Sequence, residues 1–145
     1  MTISPINILL VEDNEGDILL TTEALEEGKI STSLQVIRDG ATTLTYLKEV
    51  AEKSPSKLPD LILLDINLPK KNGHEVLMEV KSNSSLKHIP IIVLTTSPSE
   101  SDILKCYQEY ANCYLIKPME VNDFHKVVEK IEDFWLSIAQ LPKMN

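Results

Sequence analysis

The chain has 145 residues, 43% apolar, 25% charged and only 5% aromatic, the size and make-up of one domain able to bury a core without covalent staples. Twenty-two Asp and Glu against fourteen Lys and Arg leave a formal charge of -8, the wrong sign for direct binding to a nucleic-acid backbone. No apolar run nears the roughly 18 residues of a membrane span, and Met1-Thr2-Ile3-Ser4-Pro5 has no basic segment followed by an apolar core, so a cytoplasmic protein without a membrane partner is expected.

The first strand is predicted at Ile6 to Val11 and runs straight into Glu12-Asp13, ahead of helical spacing from about Glu15 to Glu27. A second strand, Leu34 to Ile37, is closed off by Gly40 and followed by a helix over Ala41 to Glu52. Ala51 to Pro59 (AEKSPSKLP) reads as an exposed loop. The third strand, Leu61 to Leu64, ends in Asp65, and Asn72-Gly73 opens a helix that runs to Ser82. Pro90 precedes the fourth strand, Ile91 to Leu94, which ends in Thr95-Thr96-Ser97 before a helix over Glu100 to Tyr110. A weaker fifth strand, Cys113 to Ile116, ends in Lys117-Pro118, and a last helix spans about residues 120–138. Several of these strands are apolar throughout, which suits strands covered on both faces. Five β-α alternations predict a doubly wound α/β sheet of parallel strands, with the ligand site beyond their carboxyl ends.

The residues just after the strands form a chemically coherent set. Glu12, Asp13 and Asp65 put three carboxylates at the ends of two strands expected to be neighbours, where like charges repel. A hard cation such as Mg²⁺, which takes oxygen ligands, relieves that repulsion. Thr95, Thr96 and Ser97 add hydroxyls at the same edge and Lys117 an ammonium, the donors and counter-charge that a phosphoryl group needs. A carboxylate beside them has the chemistry to become an aspartyl phosphate.

The pieces LLVEDN, LILLDINLPKKNG, VLTT and YLIKP, in that order, resemble the receiver domain of two-component response regulators over nearly the whole chain, Ile6 to about Ile138. The resemblance implies a flavodoxin-like (βα)5 fold with strand order 2-1-3-4-5, a single receiver domain over residues 1–145. It implies that Asp65 is the phosphoacceptor for a sensor histidine kinase, and that Glu12, Asp13, Asp65 and the main-chain carbonyl of Asn67 organise Mg²⁺. It further implies that Thr95 and Lys117 hold the phosphoryl oxygens and that Tyr114 changes rotamer on activation. Thr96 stands where receivers more often carry Ala or Gly, which narrows access to the phosphoryl group. Asn67 and Ser97 occupy positions that in the family tune dephosphorylation. The 51–59 loop, Asn112-Cys113-Tyr114 and Asp133-Phe134-Trp135-Leu136 resemble the subgroup of single-domain regulators paired with bacterial phytochromes and related sensor kinases.

The last helix carries Val121, Phe124, Val128, Ile131, Trp135 and Ile138 at three- and four-residue steps, one apolar stripe with Val127 and Phe134 beside it. A homodimer through this helix is expected, with Val128, Phe134, Trp135 and Ile138 as contacts. Cys106 and Cys113 are expected to be reduced structural thiols, His74, His88 and His125 scattered surface residues, and Lys70-Lys71 a solvated pair. Fewer than thirty residues follow Lys117, so output is expected through a protein partner that reads the fourth helix, fifth strand and last helix. The competing readings are a small Mg²⁺-dependent aspartyl-phosphate phosphatase and a flavin-binding electron carrier. Asn67 stands where phosphatases resembling haloacid dehalogenases want a second Asp, and the acidic loop Glu12 to Glu15 opposes a flavin phosphate.

Overall fold

The computed structural model describes residues 5–143; Met1 to Ser4 and the last two residues of the expected domain lie outside it. Five parallel strands, β1 (Ile6–Val11), β2 (Thr32–Ile37), β3 (Leu61–Leu64), β4 (Ile91–Thr95) and β5 (Cys113–Ile116), form one sheet in the order β2-β1-β3-β4-β5. The helices are α1 (Glu15–Glu27), α2 (Gly40–Lys53), α3 (Gly73–Ser82), α4 (Glu100–Gln108) and α5 (Val121–Ile131). This is the expected flavodoxin-like fold, and its switch point lies between β1 and β3.

Alternate residues of the central strands feed two cores. Leu9, Val11, Ile62, Leu64, Ile91 and Val93 pack with the apolar faces of α2 and α3, while Ile8, Leu10, Leu61, Leu63, Ile92 and Leu94 pack with those of α1 and α5. The continuous apolar runs therefore reflect two covered faces, as expected. β2 begins two residues earlier than predicted, because Thr32 and Ser33 pair with Ile6 and Asn7 at the sheet edge despite their polarity. The 51–59 segment is only partly loop: α2 runs on through Lys53, Pro55–Lys57 make a 3₁₀ turn, and Leu58 is buried.

The last helix departs most from expectation. It is α-helical only to Ile131 and continues as a π-helical segment over Glu132–Ile138, with Ala139 N–H donating to the Phe134 carbonyl at 2.7 Å. The wider turn shifts the register, so Leu136 enters the core one turn after Ile131, while Trp135 is half-buried and Ile138 turns outward. Val128, expected at a dimer interface, is fully buried in the chain's own core and is corrected on that ground. The segment is anchored by Glu132, whose buried carboxylate accepts from Lys29 N–H at 2.8 Å. Gly28 permits that approach, since any Cβ there would collide with the carboxylate. Among the described residues no helix is long and apolar enough to cross a membrane.

Candidate functional site

Strand register brings the sequence-predicted residues to one edge. Val11 pairs with Leu64, Leu64 with Val93, and Thr95 with Ile116, so Glu12, Asp65, Thr95 and Lys117 leave the sheet side by side. Main-chain bonds continue the ladder past its end: Asp65 N–H donates to the Val11 carbonyl at 3.0 Å and Lys117 N–H to the Thr95 carbonyl at 2.7 Å. The Asp65 loop is closed by Gly73, whose N–H donates to the Ile66 carbonyl at 2.9 Å. A side chain at Gly73 would strike the Ile66 and Asp65 backbone, so the start of α3 sits directly against the acceptor loop.

Lys117 is buried at the centre of this edge. Its ammonium donates to Asp65 Oδ2 and Asp17 Oδ2, each at 2.9 Å, and to Glu12 Oε1. Burial alone would lower the Lys117 pKa, but the bonds to Glu12, Asp17 and Asp65 outweigh it and push it up, so the ammonium stays charged. Burial pushes the Glu12 carboxyl up to about 7, against the pull of its Lys117 hydrogen bond, with the Asp65 charge adding to the rise. Glu12 Oε2 accepts from the N–H groups of Asp13 at 3.1 Å and Asn14 at 3.2 Å, which fixes it in the turn before α1. Asp13 is exposed beside it.

Asp65 is buried, and its Oδ1 accepts from Asn67 N–H at 3.0 Å. Thr95 Oγ1 is buried and has no hydrogen-bond partner among the described residues. Thr96 is exposed at the rim. The Ser97 hydroxyl donates to Asp102 Oδ2 at 2.6 Å, and Tyr114 Oη donates to the Ser97 carbonyl at 2.8 Å, so the loop after β4 is held from α4 and from β5.

Three carboxylates around one ammonium, with Asp13 alongside, make an oxygen-rich, net negative donor set that fits a hard divalent cation. The unpartnered Thr95 hydroxyl fits a further oxygen-bearing group at the same edge.

Asp17 was missed at the sequence level, although its place in the first turn of α1, four residues after Asp13, was the available signal. His74 requires correction. Its side chain is 12% exposed, with Nδ1 2.6 Å from Glu109 Oε1 and Nε2 3.4 Å from Asp102 Oδ1, so it lies in the α3–α4 seam rather than on the open surface. Lys71 is likewise only partly solvated, since it pairs with Glu79 at 3.0 Å. Both cysteines are free thiols, as expected.

The family model for the response regulator receiver domain matches residues 8–129, and the chain belongs to that family; it is a receiver-domain response regulator, a signalling protein. It is 47% identical over 135 residues to the response regulator Rcp1 of Synechocystis sp., covering 93% of this chain and 92% of Rcp1. The crystal structure of the phosphorylated cyanobacterial phytochrome response regulator RcpA superposes with a TM-score of 0.90 at 45% identity, over 97% of this chain and 100% of that one. The Mn²⁺-bound form of Rcp1 superposes with a TM-score of 0.88 at 46% identity, over 95% and 99%.

Proposed function

We propose that the chain is a stand-alone cytoplasmic switch, one receiver domain over residues 1–145, in which Asp65 accepts a phosphoryl group from the phosphohistidine of a sensor kinase. The observation that carries this is the buried Lys117 ammonium bonded to Asp65, with the Thr95 hydroxyl, unpartnered among the described residues, at the same sheet edge. Glu12, Asp13, Asp65 and the Asn67 main-chain carbonyl would hold Mg²⁺, which when bound neutralises charge on the transferring group. An Asp65 carboxylate oxygen attacks phosphorus as the P–N bond to the kinase imidazole breaks and the imidazole leaves. Lys117 loses part of its hold on Asp65 and turns its charge to the phosphoryl oxygens, and Thr95 donates its free hydroxyl to one of them.

Movement of Thr95 carries the loop that bonds Tyr114, so the surface of α4, β5 and α5 changes with phosphorylation and is read by a protein partner rather than by nucleic acid or membrane. Exposed Leu104, Tyr107, Ile116 and Val121 supply apolar contacts on that surface. Asn67 and Ser97 tune the lifetime of the phosphate, and Thr96 narrows access at the rim. Likeness to RcpA and Rcp1 favours a phytochrome-like kinase as donor. Phe134, Trp135 and Ile138 are the remaining candidates for a homodimer contact. The chain performs no catalysis beyond its own phosphorylation and dephosphorylation.

Acetyl phosphate with Mg²⁺ is expected to label the protein with an acid-stable, base-labile phosphate that Asp65→Asn abolishes. Equal labelling of that variant at another residue would overturn the assignment, and rapid turnover of unrelated phosphate esters would favour a phosphatase.

A further inference from the structure

We propose that the seam between α3 and α4 binds a thiophilic divalent cation of the Zn²⁺ class, with His74, Cys106 and Glu109 as ligands. α4 and the turn that ends it place Asp102, Cys106 and Glu109 at successive helical steps of four and three residues, on one face. That face looks at His74 in the first turn of α3. One donor atom from each of His74, Cys106 and Glu109 lies within 4.8 Å of the others. His74 Nδ1 is 2.6 Å from Glu109 Oε1 and 3.8 Å from Cys106 Sγ.

Nitrogen, sulfur and oxygen around one point is a donor set that zinc accepts in tetrahedral geometry, with donors about 3.3 to 3.8 Å apart. The His74–Cys106 pair already has that spacing, and the His74–Glu109 pair must open by less than about 1 Å. The site also has the support that holds a metal-binding imidazole in one orientation. Asp102 Oδ1 lies behind Nε2, and Asp102 is itself fixed by the Ser97 hydroxyl.

Cys106 is fully buried and Glu109 nearly so, while the partial exposure of His74 and Asp102 leaves a way in from solvent, the source of a fourth ligand. On binding, the thiol proton leaves to solvent and the imidazole keeps one proton, on Nε2 facing Asp102. The all-oxygen pocket at Asp65 selects hard cations and the thiolate site selects softer ones, so the two are distinguishable chemically.

The probe is Co²⁺, titrated into the full chain in excess Mg²⁺. One equivalent is expected to produce thiolate-to-cobalt charge-transfer absorption with tetrahedral visible bands, both displaced by Zn²⁺. Cys106→Ala is expected to abolish the charge-transfer band and Cys113→Ala to leave it. Asp102→Asn is expected to weaken Co²⁺ binding by about 10- to 100-fold. His74→Gln, at a partly exposed position, is expected to remove the tetrahedral bands with the fold retained by circular dichroism, and decides the matter if the Cys106 variant does not fold. Absence of a thiolate band at stoichiometric Co²⁺, its survival in Cys106→Ala, or unchanged Co²⁺ binding in His74→Gln would overturn the proposal.

Discussion

A buried hydroxyl without a partner costs a protein about 1–3 kcal/mol, and Thr95 Oγ1 has no partner among the described residues. Thr95→Val keeps the shape and removes the orphan, so it is expected to raise stability by about 1 kcal/mol in urea unfolding without Mg²⁺. The same variant is expected to gain less thermal stability than the parent when Mg²⁺ and beryllofluoride are added, because valine has no hydroxyl to donate to the beryllofluoride. Equal gains would show that Thr95 does not touch the phosphoryl position. Residues such as Glu12, Asp65, Thr95 and Lys117 were legible in the sequence because each ends or directly follows an apolar strand, and a parallel sheet gathers the carboxyl ends of its strands at one edge. Asp17 and His74 were not, since neither follows a strand. Asp17 meets Lys117 across 100 residues, and His74 meets Glu109 across 35, through helix packing that no local pattern records.

The clasp between α1 and α5 is the clearest pH-sensitive contact between elements. His125 Nε2 lies 2.9 Å from Glu27 Oε2 and its Nδ1 3.0 Å from Glu129 Oε1. The hydrogen bond to Glu27, with Glu129 adding to it, raises the imidazole above its ordinary 6.5. A raised folded-state pKa means the contact stabilises fully below the unfolded value and is lost as pH rises through the folded one. Thermal melts across the neutral range are therefore expected to show a decline with rising pH that His125→Gln flattens; parallel curves for the two proteins would exclude the clasp. The order of the elements was readable from β-α alternation, whereas their ends were less so. Polar Thr32 and Ser33 hid the start of β2, and the three-and-four spacing of the last helix gave no sign that its hydrogen bonds come to span five residues after Ile131.

For the molecule as a whole, the last helix decides what faces outward. Phe134 is 51% exposed and Ile138 71%, and they flank the half-buried Trp135, against which Phe134 packs edge-on with ring centroids 5.5 Å apart. Sedimentation at micromolar concentration is expected to detect a dimer, strengthened or weakened by beryllofluoride, that Phe134→Ser with Ile138→Ser dissociates. A monomer under both conditions would remove the dimer from the account. The π-helical turn gives this surface an unusual kind of adjustability. A turn closed by bonds five residues apart holds more residues than an α-turn, so removing one residue from Glu132–Ile138 would allow the segment to wind as an α-helix with its later side chains near their present directions. The chain can thus lose one codon in this stretch while Ile138 keeps its outward aim.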